Sequence, residues 1–380
     1  MKIAISVNTT WNIVNFRSSL IKSFILDGHD VIAISPPDDF VSELKKLGCS
    51  YIPLPMDNKG ANPIKDLVLF LRYIMILYSQ RPHIFIGYTI KPNIYGSIAA
   101  KLLKIPVINN ITGLGTAFIK ESLITKFVEK LYKVSLLNSK CVFFQNREDR
   151  DTFINRRIIN TSDDPKNSSR VQLLPGSGID LNHFYPRNNS NVANVKDQAF
   201  VFLFMGRVLK DKGVEEFVGA ARLVKPLYKK VTFCILGFMD AKNSTAISQD
   251  LLDSWVAEGI VEYLGAALDV RNHIANSDCV VLPSYREGTP RSLLEAAAMA
   301  RPIIATDVAG CRDVVNDQMN GFLCKPYDSK DLFLKMKKML ELDASQRKQM
   351  GLEGRIKVER EFNENLVISK YRNVILRDLQ

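Results

Sequence analysis

The chain has 380 residues, 46% apolar and 9% aromatic, which describes an ordered globular protein with more residues than one core comfortably holds. Subtracting 40 acidic from 51 basic residues gives +11, an excess that favours polyanions, anionic lipid surfaces or phosphorylated substrates without choosing among them. Cys49, Cys141, Cys234, Cys279, Cys311 and Cys324 are scattered without C-x-x-C spacing and read as reduced core residues; no metal-ligand cluster, secretory signal or bilayer-length apolar run appears.

In chain order, the first half alternates apolar strands with helical patterns. Strands are predicted at Lys2 to Val7, Asp30 to Ser35, Ile84 to Gly87, Val107 to Asn109, Cys141 to Gln145 and Val171 to Leu174. Helices are predicted near 16–27, 38–47, 64–80, 93–103, 121–138 and 147–158. Strict alternation of this kind argues for a parallel sheet covered on both faces. The polar passage Asn188 to Asp197 reads as an interdomain linker, and 160–169 as a surface loop. Alternation restarts with Phe200 to Met205, a helix near 213–224, Val231 to Leu236, Val261 to Leu264, Cys279 to Pro283, a helix from Pro290, and Pro302 to Thr306. Helices follow around 329–341 and 345–360, and Asn363 to Leu379 can form a last helix packing back on the first domain. The expected domains are 1–190, 197–362 and the tail 363–380. Two doubly wound α/β domains would leave a cleft at the carboxyl ends of their strands, where ligands bind such sheets.

The most informative segment is Arg286 to Glu295, directly after the buried-strand pattern Cys279 to Ser284. Thr289 is suited to cap the following helix and Pro290 to occupy its first turn. The amides of such a helix end favour a phosphate, and Glu287 and Glu295 can each grip hydroxyl groups. Glu287 and Glu295 also invite an acid/base reading, which would need a carboxylate separation that sequence does not give. Gly206 permits a tight exit from the strand ending at Met205, after which Arg207 and Lys212 can project from the loop. Two cations there match a diphosphate, Arg as a bidentate fork and Lys as a point charge. A solvated basic loop and solvated helix carboxylates are the simpler alternatives.

In the first domain, Asn110 to Thr116 follows a strand, and Gly113 and Gly115 allow a ligand to approach the backbone. A plain turn explains it equally well, because the segment lacks the G-x-G-x-x-G pattern. Lys91, in Tyr88 to Asn93, could face an acceptor phosphate, and Asn15 and Arg17 after the first strand are candidates for the same cleft. His29, His83, His183 and His273 read as structural, which makes electrostatic placement of a reactive phosphate ester the more attractive catalysis. Two stretches could meet a membrane: the apolar Ile64 to Tyr78, where packing against the sheet is the simpler reading, and Phe118 to Lys140, which mixes apolar residues with Lys120, Lys126, Lys130, Lys133 and Lys140.

Together these segments resemble the bacterial members of glycosyltransferase family 4, retaining enzymes with the two-domain GT-B fold. The resemblance runs over nearly the whole chain. Its signature is the E-x7-E element from Glu287 to Glu295, supported by Gly206-Arg207 with Lys212-Gly213, Pro175 to Asp180, and Val308 to Asp313. It implies that Arg207 and Lys212 hold the donor diphosphate and that Glu295 binds the ribose. Glu287 with the Gly288-Thr289 amides would position donor sugar and phosphate, and Leu264 and Pro290 would complete the nucleotide site. No metal is implied. Many relatives carry a histidine near the fourth strand; here Tyr88-Thr89-Ile90-Lys91-Pro92 stands in its place, so no catalytic histidine is assigned. Asn15-Phe16-Arg17 and Pro283 to Gly288 further resemble enzymes that assemble O-antigen, capsule or lipid-linked oligosaccharides. Among these are transferases that add N-acetylgalactosamine from its UDP form to an undecaprenyl-diphosphate-linked sugar. The implied function is transfer of a hexose or N-acetylhexosamine, N-acetylgalactosamine in α-1,3 linkage first, at the cytoplasmic face of an anionic inner membrane. A UDP-N-acetylhexosamine 2-epimerase on the same two-domain plan is the enzyme rival. A nucleic-acid-binding module is the rival from another class, but no basic stripe interleaved with aromatics appears.

Overall fold

The computed structural model describes residues 1–57, 62–113, 123–137, 139–160, 170–187, 199–241, 243 and 245–376. Gly115, Lys120, the passage at 188–197 and the loop at 161–169 lie outside them. The chain divides into two compact units, Met1–Ser177 with Glu364–Gln380, and Gly178–Asn363.

The first unit carries a seven-stranded sheet: β1 (Lys2–Ser6), β2 (Asp30–Ser35), β3 (Ser50–Pro53), β4 (Ile84–Tyr88), β5 (Val107–Ile111), β6 (Cys141–Phe144) and β7 (Val171–Leu173). Their order is β3-β2-β1-β4-β5-β6-β7, with every pairing parallel. β4, β5 and β6 are buried along their whole length, as continuous apolar strands covered on both faces must be. Around the sheet lie α1 (Thr10–Leu26), α2 (Val41–Lys46), α3 (Pro63–Gln80), a π-helical turn Pro92–Gly96 running into α4 (Ser97–Leu102), α5 (Leu123–Leu136) and α6 (Arg147–Asn155).

α1 begins six residues before its expected start. Thr9 caps it by accepting from the Asn12 amide, and Asp38 accepts from the Thr10 and Trp11 amides at 2.8 and 3.2 Å, so a contact across sequence outweighs weak local propensity. α3 has both local signals, Asn62 as cap and Pro63 in the first turn.

The helix Glu364–Leu376 belongs to the first unit. Its Val367, Tyr371, Val374 and Ile375 are buried with Ile3, Ile5, Phe24 and Phe143. The Tyr371 hydroxyl, 2.6 Å from that of Tyr88, donates to Asn110 Oδ1. From there a buried amide network continues: Asn110 Nδ2 donates to the Gly87 carbonyl at 3.1 Å, and Asn93 Nδ2 to the Asn110 carbonyl at 2.7 Å. The paired groups fix where the loops after β4 and β5 leave the sheet.

In the second unit, β8 (Phe200–Met205), β9 (Val231–Leu236), β10 (Glu262–Tyr263), β11 (Cys279–Leu282), β12 (Ile303–Thr306) and β13 (Gly321–Cys324) form a six-stranded parallel sheet in the order β10-β9-β8-β11-β12-β13. The helices are α7 (Val214–Val224), α8 (Gln249–Ala257), α9 (Arg271–Ala275), α10 (Arg291–Ala298), α11 (Cys311–Val314), α12 (Ser329–Glu341) and α13 (Ala344–Glu361). Phe202, Phe204, Phe217 and Phe233 form the aromatic centre of one face.

The boundary between the units falls earlier than the polar passage at 188–197. Ile179 and Phe184 are buried in the second unit's core, and the Ile179 amide donates to the Phe362 carbonyl at 2.8 Å. Residues 178–187 therefore belong to the second unit and not to a first domain ending at 190. All six cysteines are buried.

Tyr371→Phe removes two hydroxyl contacts while keeping the ring. It should destabilise the first unit by about 1–3 kcal/mol, because Tyr88 and Asn110 keep buried polar atoms that lose their partner. Urea unfolding of the variant against the parent measures this.

Candidate active site

In the second sheet the strand order reverses between β8 and β11, one side running on to β9 and β10, the other to β12 and β13. At such a switch point the loops at the carboxyl ends of the two strands diverge and leave a ligand crevice. Here those loops are 206–213 and 283–290, the two segments the sequence marked.

They are fastened to each other. Lys212 Nζ forms an ion pair with Glu287 Oε1, the two side chains only 16% and 13% exposed. The Tyr285 amide donates to the Asp211 carbonyl at 3.0 Å, and Ser284 Oγ to the same oxygen at 3.1 Å. Gly213 sits at φ 74, and a Cβ there would lie 2.0 Å from the Pro283 carbonyl oxygen, so the backbones touch as only glycine permits. Tyr285 donates to Glu216 Oε1 at 2.7 Å, and burial and this bond push its phenol well up, keeping it a donor. The loop after β12 closes the third side. Gly310, at φ 78, packs so closely that a Cβ would lie 2.3 Å from the Gly288 carbonyl oxygen and 2.7 Å from that of Glu287.

Arg207 leaves the end of β8 and is 42% exposed, its Nη1 3.9 Å from Asp240 Oδ2. Gly206 continues the β8–β9 ladder, its amide donating to the Leu236 carbonyl at 3.0 Å. Leu264 lies just past β10 with its side chain part exposed, and its amide donates to the Ile235 carbonyl at 2.9 Å. β10 itself is only Glu262–Tyr263, shorter than the predicted strand.

The helix start differs from expectation. Pro290 (φ −71, ψ 111) holds the N-cap position, α10 begins at Arg291, and Thr289 precedes the cap. Pro290 takes this place because its extended ψ lies outside the helix while its carbonyl already accepts from Leu293 and Leu294 at 3.1 and 3.3 Å. The Gly288-Thr289 amides therefore lie in the turn itself. Glu295, one turn into α10, accepts from Arg291 Nε at 3.0 Å. Burial raises its carboxyl above the usual range, and the Arg291 charge and hydrogen bond offset part of that. Arg291 also donates to the Gly178 carbonyl at 3.2 Å, joining the Pro175 to Asp180 segment to this helix. Asp211, Tyr285, Arg291 and Gly310 lie inside the marked motifs but were given no role there, and Glu216, just beyond them, carried no signal of its own.

The first-unit candidates fare unevenly. Lys91 lies in a buried ion pair: its ammonium meets Asp66 of α3 at 2.6 Å, with Tyr95 donating to the same carboxylate at 3.0 Å. A buried carboxylate on α3 demands that cation. Asn15 lies on α1, and its Nδ2 donates to the Trp11 carbonyl at 2.9 Å. Arg17 is 6% exposed, with its guanidinium carbon 4.2 Å from the centroid of the Tyr88 ring. Its Nη1 donates to the Phe16 carbonyl at 2.9 Å, while Nε is buried without a hydrogen-bond partner, and no carboxylate pairs with it among the described residues. A buried cation held by an aromatic face and one carbonyl, with no carboxylate among the described residues to neutralise it, is chemistry that suits an anion. Gly113 adopts φ 126, a conformation glycine alone takes readily. Within the second unit the structure thus gathers Gly206, Arg207, Lys212, Glu287, Gly288, Thr289, Pro290 and Glu295 around one switch point.

Gly310→Ala combines backbone strain with a clash against Glu287 and Gly288, whereas Gly259→Ala, at φ 68 with nothing within 4 Å, carries strain alone. The first should cost the second unit roughly 1–3 kcal/mol and more than the second. Trp255 fluorescence during chemical unfolding, in a Trp11→Phe background, reports it.

Residues 2–146 match the Glycosyl transferase 4-like family and residues 187–357 the Glycosyl transferases group 1 family. The chain is 28% identical to the N,N'-diacetylbacillosaminyl-diphospho-undecaprenol alpha-1,3-N-acetylgalactosaminyltransferase of Campylobacter jejuni, over 98% of this chain and 97% of that one. It is 27% identical to the UDP-Gal:alpha-D-GlcNAc-diphosphoundecaprenol alpha-1,3-galactosyltransferase of Escherichia coli, over 70% and 68% of the two chains. Among solved structures, HepE from Anabaena in complex with UDP and glucose superposes with a TM-score of 0.79 over 99% of each chain at 16% identity, a likeness of fold. With a 4-like N-terminal half, a group 1 C-terminal half and two Rossmann-like units of the GT-B class, the chain belongs to the glycosyltransferases, family 4 among them.

Proposed function

We propose that the chain transfers a hexose or N-acetylhexosamine, with N-acetylgalactosamine in α-1,3 linkage as the best fit, from a UDP-sugar to an undecaprenyl-diphosphate-linked saccharide. Transfer would retain the anomeric configuration, need no bound metal, and take place at the cytoplasmic membrane surface in O-antigen, capsule or related glycan assembly. The observation that carries the proposal is the meeting of Lys212 and Glu287 at the β8/β11 switch point, with Arg207 at the start of the loop that carries Lys212. The printed activities of the Campylobacter and Escherichia relatives supply the substrate classes.

In this reading Arg207 and Lys212 neutralise the charge that grows on the β-phosphate as the bond from the anomeric carbon to its oxygen breaks. Lys212 would divide its three N–H donors between Glu287 and phosphate oxygens. Glu287 would also meet a sugar hydroxyl, and the Gly288-Thr289 turn follows it directly in the chain. Glu295, held by Arg291, offers a carboxylate to the ribose diol. The acceptor oxygen attacks on the face that UDP leaves, and its proton passes to the departing phosphate oxygen, so no side-chain base is required. Arg17 is the first unit's candidate for an acceptor phosphate.

Arg207→Ala and Lys212→Ala should each lower turnover by about 10²–10³-fold, as loss of one charge-stabilising donor does. Released UDP and product mass, assayed with an undecaprenyl-diphosphate-linked acceptor, measure it, and transfer should survive EDTA. Normal rates in the double variant would overturn the mechanism. A 2-epimer formed from UDP-N-acetylhexosamine without acceptor would replace transfer with epimerisation.

A further inference from the structure

The strongly apolar helix α3 is only half used by the core. Asp66, Leu69, Tyr73 and Leu77 are buried against the sheet side. Ile64, Leu67, Val68, Leu71, Met75 and Tyr78 are all exposed, from 41% for Val68 to 77% for Ile64. At 3.6 residues per turn these six share an arc of about 100° opposite the buried side chains. An arc of large apolar side chains running the length of an 18-residue helix is not scattered surface hydrophobicity.

The charge around the arc has one sign. Lys65 and Arg72 lie along one edge and are exposed. The helix's one acid, Asp66, is turned inward to Lys91, and Asp57 ahead of the helix is held by Lys65 at 3.3 Å. At the helix's far end an open groove of about 440 Å³ is lined by Tyr78, Arg81, His83 and Lys104. α5, which like α3 packs against the 92–102 segment, exposes Lys126, Lys130 and Lys133 with Phe127 and Val134, and the exposed Leu137 follows it. Among the described residues no helix is long and apolar enough to cross a membrane.

From this we infer that the outer face of α3 is a membrane-docking surface, its six apolar side chains entering the interface of an anionic bilayer and its flanking cations meeting lipid phosphates. An amphipathic helix of this kind binds through buried apolar area plus attraction to anionic headgroups. The charge pattern selects a bilayer over a second copy of the chain. A twofold contact would set the same patch against itself, bringing cations together with no exposed carboxylate on the helix to receive them. The inference rests on the proposed lipid-linked acceptor for its purpose, since docking would hold the first unit where such an acceptor lies.

The test is sedimentation of the full chain with vesicles of phosphatidylcholine alone and of equimolar phosphatidylcholine and phosphatidylglycerol. The parent should bind the mixed vesicles, bind pure phosphatidylcholine far less, and be released by salt. Leu67→Glu/Leu71→Glu/Met75→Glu should weaken binding at least about tenfold, since each glutamate replaces an inserted apolar group. Its circular dichroism, thermal midpoint and UDP binding should match the parent. Arg81→Gln/Lys104→Gln should weaken binding to the mixed vesicles roughly fivefold per charge. Equal binding by the triple variant, or by pure phosphatidylcholine, overturns the inference. So does a parent dimer that the triple variant abolishes, without vesicle binding. Vesicle binding that follows these variants in a protein without transferase activity would support this inference and remove the proposed function alone.

Discussion

The second unit depends on one fastening, the union of the loops that leave β8 and β11. A lysine and a glutamate 75 residues apart meet with little solvent about them, and the backbones beneath are pressed together at Gly213 and Pro283. Removing either charge would leave the other needing a partner in a poorly hydrated place, so the pair is costly to break even if its net contribution to stability is small. Its value is positional. It holds a carboxylate and an ammonium at the one point where the sheet's winding reverses and the crevice opens, so fold and chemistry are specified by the same contact. Gly310, from the neighbouring strand's loop, braces the Glu287-Gly288 backbone from the other side.

Much of this was legible in the chain. Buried strands such as Phe200–Met205 and Ile84–Tyr88 show as apolar runs, and long helices show by periodicity. The elements that escaped are short: β3, β13, α8, α9 and α11 span 4, 4, 9, 5 and 4 residues. Edge strands and helices of one to three turns owe much to their neighbours, and local propensity carries little weight over so few residues. The site motifs were legible because glycine, proline and paired charges cluster there. What sequence could not supply was pairing. Lys91 reads as a free cation beside a strand end, yet Asp66, one helix earlier, claims it. Thr289 reads as a cap, but Pro290's extended backbone takes that position.

The first unit is organised differently, around buried polarity. Arg17, Tyr88, Tyr371, Asn110, Asn93 and Asn109 are all buried at or near the carboxyl ends of β4 and β5. Such groups stabilise a fold less than hydrocarbon would, but they specify it, since each must meet its partner at one geometry. They also make α3 intelligible. Its inner face is spent on the sheet and on the Lys91–Asp66–Tyr95 cluster, which fixes the helix's rotation and so determines which side chains face outward.

The helix Glu364–Leu376 has a consequence for how the molecule comes into being. The first unit's core includes Val367, Tyr371 and Ile375, yet residues 178–363 precede them in synthesis. On the ribosome the second unit therefore has every residue it needs while the first still waits with Ile3, Phe24 and Phe143 incompletely covered. Completion of the earlier lobe comes last, and the half that emerges first is the one that most needs a chaperone's shelter during translation.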